Sequence, residues 1–334
     1  MKYLLNIILC FLILIPFNPV SAKKHVKIAT IGGLHGVDKS KGNQFMVDGM
    51  IDFWEKQLAQ VLPGQPDLIV LPEACDRPTG LNREEQMAYY AVRGHQVWDF
   101  FAEVAKENKC YIAFGTKHQL KDGTWRNSCV ILDRSGNMAG IYHKNFPTIG
   151  EMESGIKAGM DTPVIKCDFG RIGCAICFDL NFEELRKRYA DLKPDLIVFT
   201  SMYHGGLVQA TWAYDCRAYF VGSMGPRTVP CEIRNPIGDV IASSTNYFHR
   251  VVETINLDYC VAHLDDNWSR LTALKEKYGE KVIIHDPSKV GCVLITSEHE
   301  TVSAKEMAAE FEIELLDDYF ERSRAFRHKP GMME

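Results

Sequence analysis

Residues 171–201 read RIGCAICFDLNFEELRKRYADLKPDLIVFTS. A short apolar run carrying Cys174 and Cys177 passes straight into an aromatic, an aspartate and a charged stretch, and a second apolar run, DLIVFT, follows within twenty residues. Strand, helix, strand is the pattern predicted. On a strand, positions 174 and 177 differ by an odd number and face opposite sides, so only one of the two thiols can face a given crevice. A C-x-x-C redox or metal pair is the rival reading, but it wants a turn or helix start between the thiols, where this sequence offers a strand.

Upstream, VKIATI (26–31) and DLIVLPE (67–73) read as strands. Phe45 to Leu62 reads as a helix with Met46, Met50, Trp54 and Leu58 spaced by four, and 83–107 as a longer helix. CYIAFGT is a strand, and 127–144 form a hairpin about Ser135-Gly136-Asn137. VIKCDF and RIGCAICF make a second hairpin around Gly170. Downstream lie a helix ending near Arg217, the strand YFVGSM, and further strands over 231–257. Hairpins interrupt the alternation of helix and strand, which predicts a mixed α/β sandwich of sheets covered by helices, in one catalytic domain over 23–258. Residues 259–334 read as a charged, amphipathic helical extension.

Composition is ordinary and globular, with 46% hydrophobic and 24% charged residues among 334. Lys2, the apolar run Leu4 to Ile15 and the small residues Val20-Ser21-Ala22 make residues 1–22 a secretory signal peptide, and Pro16 and Pro19 argue against a retained membrane span. The expected location is therefore secreted or periplasmic, with no stable membrane insertion after cleavage. Without Lys2 the mature chain has 37 basic and 43 acidic residues, net −6, which argues against nucleic acid as a partner. Ten of the 11 cysteines remain, mostly inside apolar runs, so few or no disulfides are expected. HExxH and HxH spacings are absent, so neither a metal nor another cofactor is implied. Asn267-Trp268-Ser269 fits a glycosylation sequon, a pattern too short to carry weight.

Glu73, Lys144 and Cys177 each close a predicted strand. Singly they are bland: a solvated carboxylate, a surface ammonium, a core thiol. Together they supply a proton acceptor, a cation for a developing oxyanion and a nucleophile. LPE at Glu73, YHK at Lys144 and ICFDLNFEE at Cys177 resemble, in order, the three signature segments of the nitrilase superfamily, the carbon–nitrogen hydrolases. Asp195 to Ser201, Arg217-Ala218 and Asn235-Pro236-Ile237-Gly238 extend the resemblance over roughly residues 26–258.

The resemblance implies a four-layer αββα sandwich and selects Cys177, which stands immediately before an aromatic and an aspartate. It implies that Glu73 is the general base and that Lys144, with the Phe178 backbone N–H, stabilises the oxyanion. It also implies a second glutamate soon after the lysine, for which Glu151 fits better than Glu153. His204, just beyond a strand end, is a candidate substrate contact, whereas Tyr203 and Trp212 read as packing. Phe182-Glu183-Glu184 stands where the family writes Phe-Pro-Glu, and Ala158-Gly159 where Pro-Gly is common; neither change removes a catalytic atom.

The expected activity is hydrolysis of a small non-peptide amide or N-carbamoyl compound through a cysteine thioester, releasing ammonia or an amine. Nitrile hydrolysis, a small-amide-binding pseudoenzyme and a thiol–disulfide oxidoreductase are the alternatives. A homodimer or larger homo-oligomer is expected, with the C-terminal tail as a candidate contact.

Overall fold

A computed structural model describes residues 24–333; the expected signal peptide lies outside them. In chain order the strands of the main body are β1 (His25–Ile31), β2 (Leu68–Val70), β3 (Tyr111–Gln119), β4 (Trp125–Leu132), β5 (Met138–His143), β6 (Ile165–Lys166), β7 (Arg171–Ile176), β8 (Leu196–Ser201), β9 (Tyr219–Met224), β10 (Glu232–Arg234), β11 (Val240–Ser243) and β12 (Arg250–Asn256). They form two six-stranded sheets, ordered β12-β1-β2-β3-β4-β5 and β11-β10-β9-β8-β7-β6. Each has three central parallel strands, β1-β2-β3 and β7-β8-β9, flanked by antiparallel neighbours.

The strand period sorts side chains into layers. Leu68, Val70, Tyr111, Ala113, Cys129 and Ile131 share an inter-sheet core with Ile172, Cys174 and Ile176. The intervening residues Ile69, Ile112, Phe114 and Val130 pack outward under α1 (Asn43–Leu58), α2 (Arg83–Arg93) and α3 (Gln96–Asn108). After the short α4 (Ile149–Glu153), α5 (Glu183–Leu192) and α6 (Leu207–Cys216) cover the second sheet through Leu185, Tyr189, Trp212 and Ala213. The αββα sandwich expected from the sequence is the fold observed.

Two expectations need correction. The single helix over 83–107 is two, because Gly94, at φ 46°, ends α2. The helical extension carries a sheet of its own: β13 (Tyr259–His263), β14 (Val282–His285) and β15 (Cys292–Ser297), ordered β13-β15-β14 and antiparallel, with α7 (Trp268–Tyr278), α8 (Ala304–Glu310) and α9 (Leu316–Arg327). YCVAH, VIIH and CVLITS are short β-branched runs whose signal is masked by the stronger helical periodicity around them. This module docks on the sandwich through Lys24 to Asp258 (3.0 Å), the Tyr259 hydroxyl to the Arg217 carbonyl (2.7 Å) and Arg217 to Asp317 (3.2 Å).

Topology brings the chemistry to one edge. β5 is antiparallel to β4, itself antiparallel to β3, so β5 runs with β2 and β3, and Glu73 and Lys144 emerge at the same end. Gly115 on β3 lets the segment after β2 cross close by: a Cβ there would stand 2.5 Å from Glu73 Cα and 2.7 Å from the Pro72 carbonyl oxygen. Gly115→Ala should therefore cost about 1–3 kcal/mol of stability, as overpacking does, read as a lower urea midpoint at unchanged slope.

Candidate active site

β7 stops at Ile176, and Cys177 begins a 3₁₀ turn, Cys177–Asn181, at φ 48°. Left-handed backbone at a non-glycine residue is strained, and Asp179 holds it. The Asp179 carboxylate accepts from the Ile176 N–H (3.0 Å), the Phe146 N–H (2.7 Å) and the Tyr142 hydroxyl (2.7 Å). Burial pushes its pKa up to about 6 against those three donors. Cys174 lies buried in the inter-sheet core beside Cys129, and all ten described cysteines are free. The two thiols thus part as expected, but by a route that strand alternation does not describe: the turn, not the pleat, aims Cys177.

Lys144, 1% exposed, sits between two carboxylates, its Nζ 3.1 Å from Glu73 Oε1 and 2.8 Å from Glu151 Oε2. Burial works against its charge, but Glu73 and Glu151 outweigh burial and hold its pKa above the ordinary lysine value. Glu151 is fixed by a capping box at the start of α4. Thr148 Oγ1 accepts from the Glu151 N–H (3.2 Å), and the Thr148 N–H donates to Glu151 Oε2 (3.0 Å). Burial would raise the Glu151 pKa, yet Lys144, then Lys117, bring it down to about 2. Glu153 is exposed, and only its carbonyl is engaged, by Arg83.

Both oxygens of Glu151 are saturated, whereas Glu73 is not. Its Oε1 accepts from Asn127 Nδ2 (2.7 Å) and Lys144, while Oε2 is buried with no hydrogen-bond partner, and the Cys177 thiol lies near the carboxylate. Burial, then the Glu73 charge, pushes the Cys177 pKa up to about 12, against the pull of Lys144 and the Met202 N–H. At neutral pH Cys177 is therefore a thiol, and a thiol needs a base before it can attack.

Phe178 follows on the turn with its ring 40% exposed and its edge toward Phe182. His204 is engaged by other partners: its Nε2 lies 3.2 Å from Glu232, and its Nδ1 accepts from the Gly206 N–H. Tyr203, read from sequence as packing, does pack against the inter-sheet core and also lies near the thiol; burial, then the Cys177 charge, raises its pKa to about 12, and its hydroxyl accepts from Asn181. Trp212 is packing, its Nε1 donating to the Leu180 carbonyl (2.9 Å). Asn127 and Lys117 were missed, being single polar residues in otherwise strand-like runs. The Thr148-x-x-Glu151 capping box was a legible sign for Glu151 over Glu153. Among the described residues no cluster of side chains could hold a metal ion.

The carbon–nitrogen hydrolase family model matches residues 37–234, and the chain belongs to that family, within the nitrilase superfamily. Among curated relatives it is 24% identical over 201 residues to the human omega-amidase NIT2, covering 53% of this chain and 72% of that protein. It is 25% identical to the Drosophila melanogaster nitrilase and fragile histidine triad fusion protein over 56% of this chain and 41% of the relative, and 27% identical to a Schizosaccharomyces pombe hydrolase over 36% and 39%. The chain thus spans about two fifths of the length of these last two. A solved amidase from Nesterenkonia shares the fold at a TM-score of 0.60 and 14% identity, covering 75% of this chain and 96% of that one. Saccharomyces cerevisiae Nit3 does so at 0.58 and 15%, covering 80% and 98%. In a variant of the Nesterenkonia amidase the acetamide moiety of fluoroacetamide is added covalently at the active-site cysteine.

The charges around Cys177 set opposite expectations for two variants. Glu73→Gln removes a charge that raises the thiol pKa, and Lys144→Gln removes one that lowers it. The Cys177 titration, followed by thiolate ultraviolet absorbance, should move to lower pH in the first and to higher pH in the second.

Proposed function

We propose that this protein hydrolyses the carbon–nitrogen bond of a small non-peptide amide or N-carbamoyl compound through a thioester on Cys177. The observation that carries the reading is a Glu73 carboxylate with one unshared oxygen near a neutral, half-buried thiol, its other oxygen 3.1 Å from the Lys144 ammonium. Glu73 takes the thiol proton as sulfur attacks the carbonyl carbon, and the carbonyl electron pair moves onto oxygen. Lys144 and the Phe178 N–H stabilise that oxyanion. As the intermediate collapses, the carbon–nitrogen bond breaks and Glu73 returns its proton to the departing nitrogen, which leaves as ammonia or an amine. Water then gives a proton to Glu73 and attacks the thioester carbon. Sulfur departs and takes that proton back, and the acid is released.

Glu151 has no free oxygen, which suits an orienting role toward Lys144. The covalent adduct in the Nesterenkonia amidase and the omega-amidase activity named for the human relative support the amide reading. The proposal includes export by residues 1–22.

The test is ammonia release across short aliphatic amides, N-carbamoyl amino acids and nitriles by the protein from residue 23 onward. Amides or carbamoyl compounds should be turned over, and Cys177→Ala should lose at least about 10³-fold in kcat, with Cys174→Ala near the parent rate. Added hydroxylamine should divert product to the hydroxamate. Turnover confined to nitriles would replace this reading with the nitrilase one, and turnover surviving in Cys177→Ala would end both.

A further inference from the structure

The inference concerns Asn127, on β4, and rests on the reading of Glu73 as the base. Asn127 is fully buried, and its backbone carbonyl accepts from the Lys144 N–H at 2.8 Å. Its side-chain nitrogen donates to two carboxylates at once: 2.7 Å to Glu73 Oε1 and 2.7 Å to Glu151 Oε1. An amide nitrogen carries two hydrogens, one for each. Turned the other way, the amide oxygen would face two carboxylate oxygens with no hydrogen between them, so the network itself fixes the orientation.

Two carboxylates that share one partner atom are neighbours, and neighbouring buried carboxylates ordinarily take up one proton between them. A shared proton here would occupy Glu73 and remove the base. Lys144 bridges the same pair, and Lys117 Nζ lies 3.4 Å from Glu151 Oε1. Asn127 Nδ2 stands between the two Oε1 atoms and gives each a hydrogen. It also commits Oε1 of Glu73, leaving Oε2 the carboxylate oxygen without a partner, on a residue whose side chain lies near the thiol. Asn127 Oδ1 is itself buried without a partner, a cost that a residue kept only for packing would not carry.

We propose that Asn127 is a positioning residue that clasps Glu73 and Glu151, keeps both ionised and directs Glu73 Oε2 at Cys177. It touches neither sulfur nor the reacting carbonyl, and acts through Glu73.

Asn127→Ala removes both donors, and Asn127→Ser offers one hydrogen to two acceptors while keeping a polar group in the site. Each is compared with the parent, and with Glu73→Gln, for kcat, KM and the pH dependence of kcat/KM on an amide substrate. In Asn127→Ala kcat should fall by about 10²-fold, within the range of general-base catalysis, with KM changed less than about threefold. The acid limb of the profile should move up by about one pH unit or more, since a carboxylate that loses a donor holds its proton more tightly. Asn127→Ser should fall between Ala and the parent on both measures, and it answers the question alone if the alanine variant does not fold. With Glu151→Gln as background there is no second carboxylate to share a proton, and the pH shift caused by Asn127→Ser should shrink. An acid limb unmoved in a folded Asn127→Ser, with activity following thermal stability alone, would make Asn127 structural and overturn the proposal. Undiminished turnover in Glu73→Gln would overturn the base assignment instead, whatever Asn127 does.

Discussion

The structure is organised around one buried ammonium. A lysine with almost no solvent contact is tolerable only when paired, and stripping one partner from such a pair costs about 3–5 kcal/mol. Each partner of Lys144 is held by a different device. Glu73 follows β2, whose neighbour β3 supplies Gly115, where a side chain would strike the Glu73 backbone. Glu151 is fastened to Thr148 by a capping box. Gly159, whose N–H donates to the Lys144 carbonyl, approaches His143 so closely that a Cβ would lie 2.3 Å from its oxygen. That glycine is the member of the Ala158-Gly159 pair with a steric requirement, so alanine in place of the usual proline leaves the cation where the family chemistry needs it.

Cys177 is coupled to the same centre from the other sheet. Tyr142, two residues before Lys144 on the same strand run, donates to Asp179 and accepts from the Asn145 N–H (3.1 Å). Asp179 in turn ties down the strained turn at Cys177, a conformation costing about 1–3 kcal/mol that persists only when its surroundings over-determine it. The inter-sheet spacing at the site is thus set by a hydrogen bond between a residue of the lysine's strand and a residue of the cysteine's turn. Packing alone would set it less tightly, since apolar contacts are non-directional.

How far the site was legible in the sequence follows from where each residue stands. Glu73, Lys144 and Cys177 end apolar strands, where a charged or reactive group is conspicuous, and the structure brings all three together. Cys174 was separated from Cys177 by a pleat argument whose conclusion held although Cys177 lies past the strand's end. Asn127 was invisible because a single polar residue within a strand run reads as a position facing solvent. For His204, a position beyond a strand end specifies an edge but not a side-chain direction, and in the structure the imidazole pairs with Glu232. The fold was readable from the alternation of runs up to Asn256, and failed beyond it, where three short strands lie among strongly periodic helices.

A last consequence concerns the resting thiol. Cysteine oxidation proceeds through the thiolate, and burial with the Glu73 charge holds Cys177 protonated until a substrate carbonyl is present to accept the electron pair. Lys144 could have produced a standing thiolate, but its charge is already divided between two carboxylates. On the proposed mechanism, nucleophilicity is generated in the transition state, by proton transfer to Glu73, and is not stored in the ground state. A resting thiol is less open to oxidation than a standing thiolate would be, which bears on the proposed export.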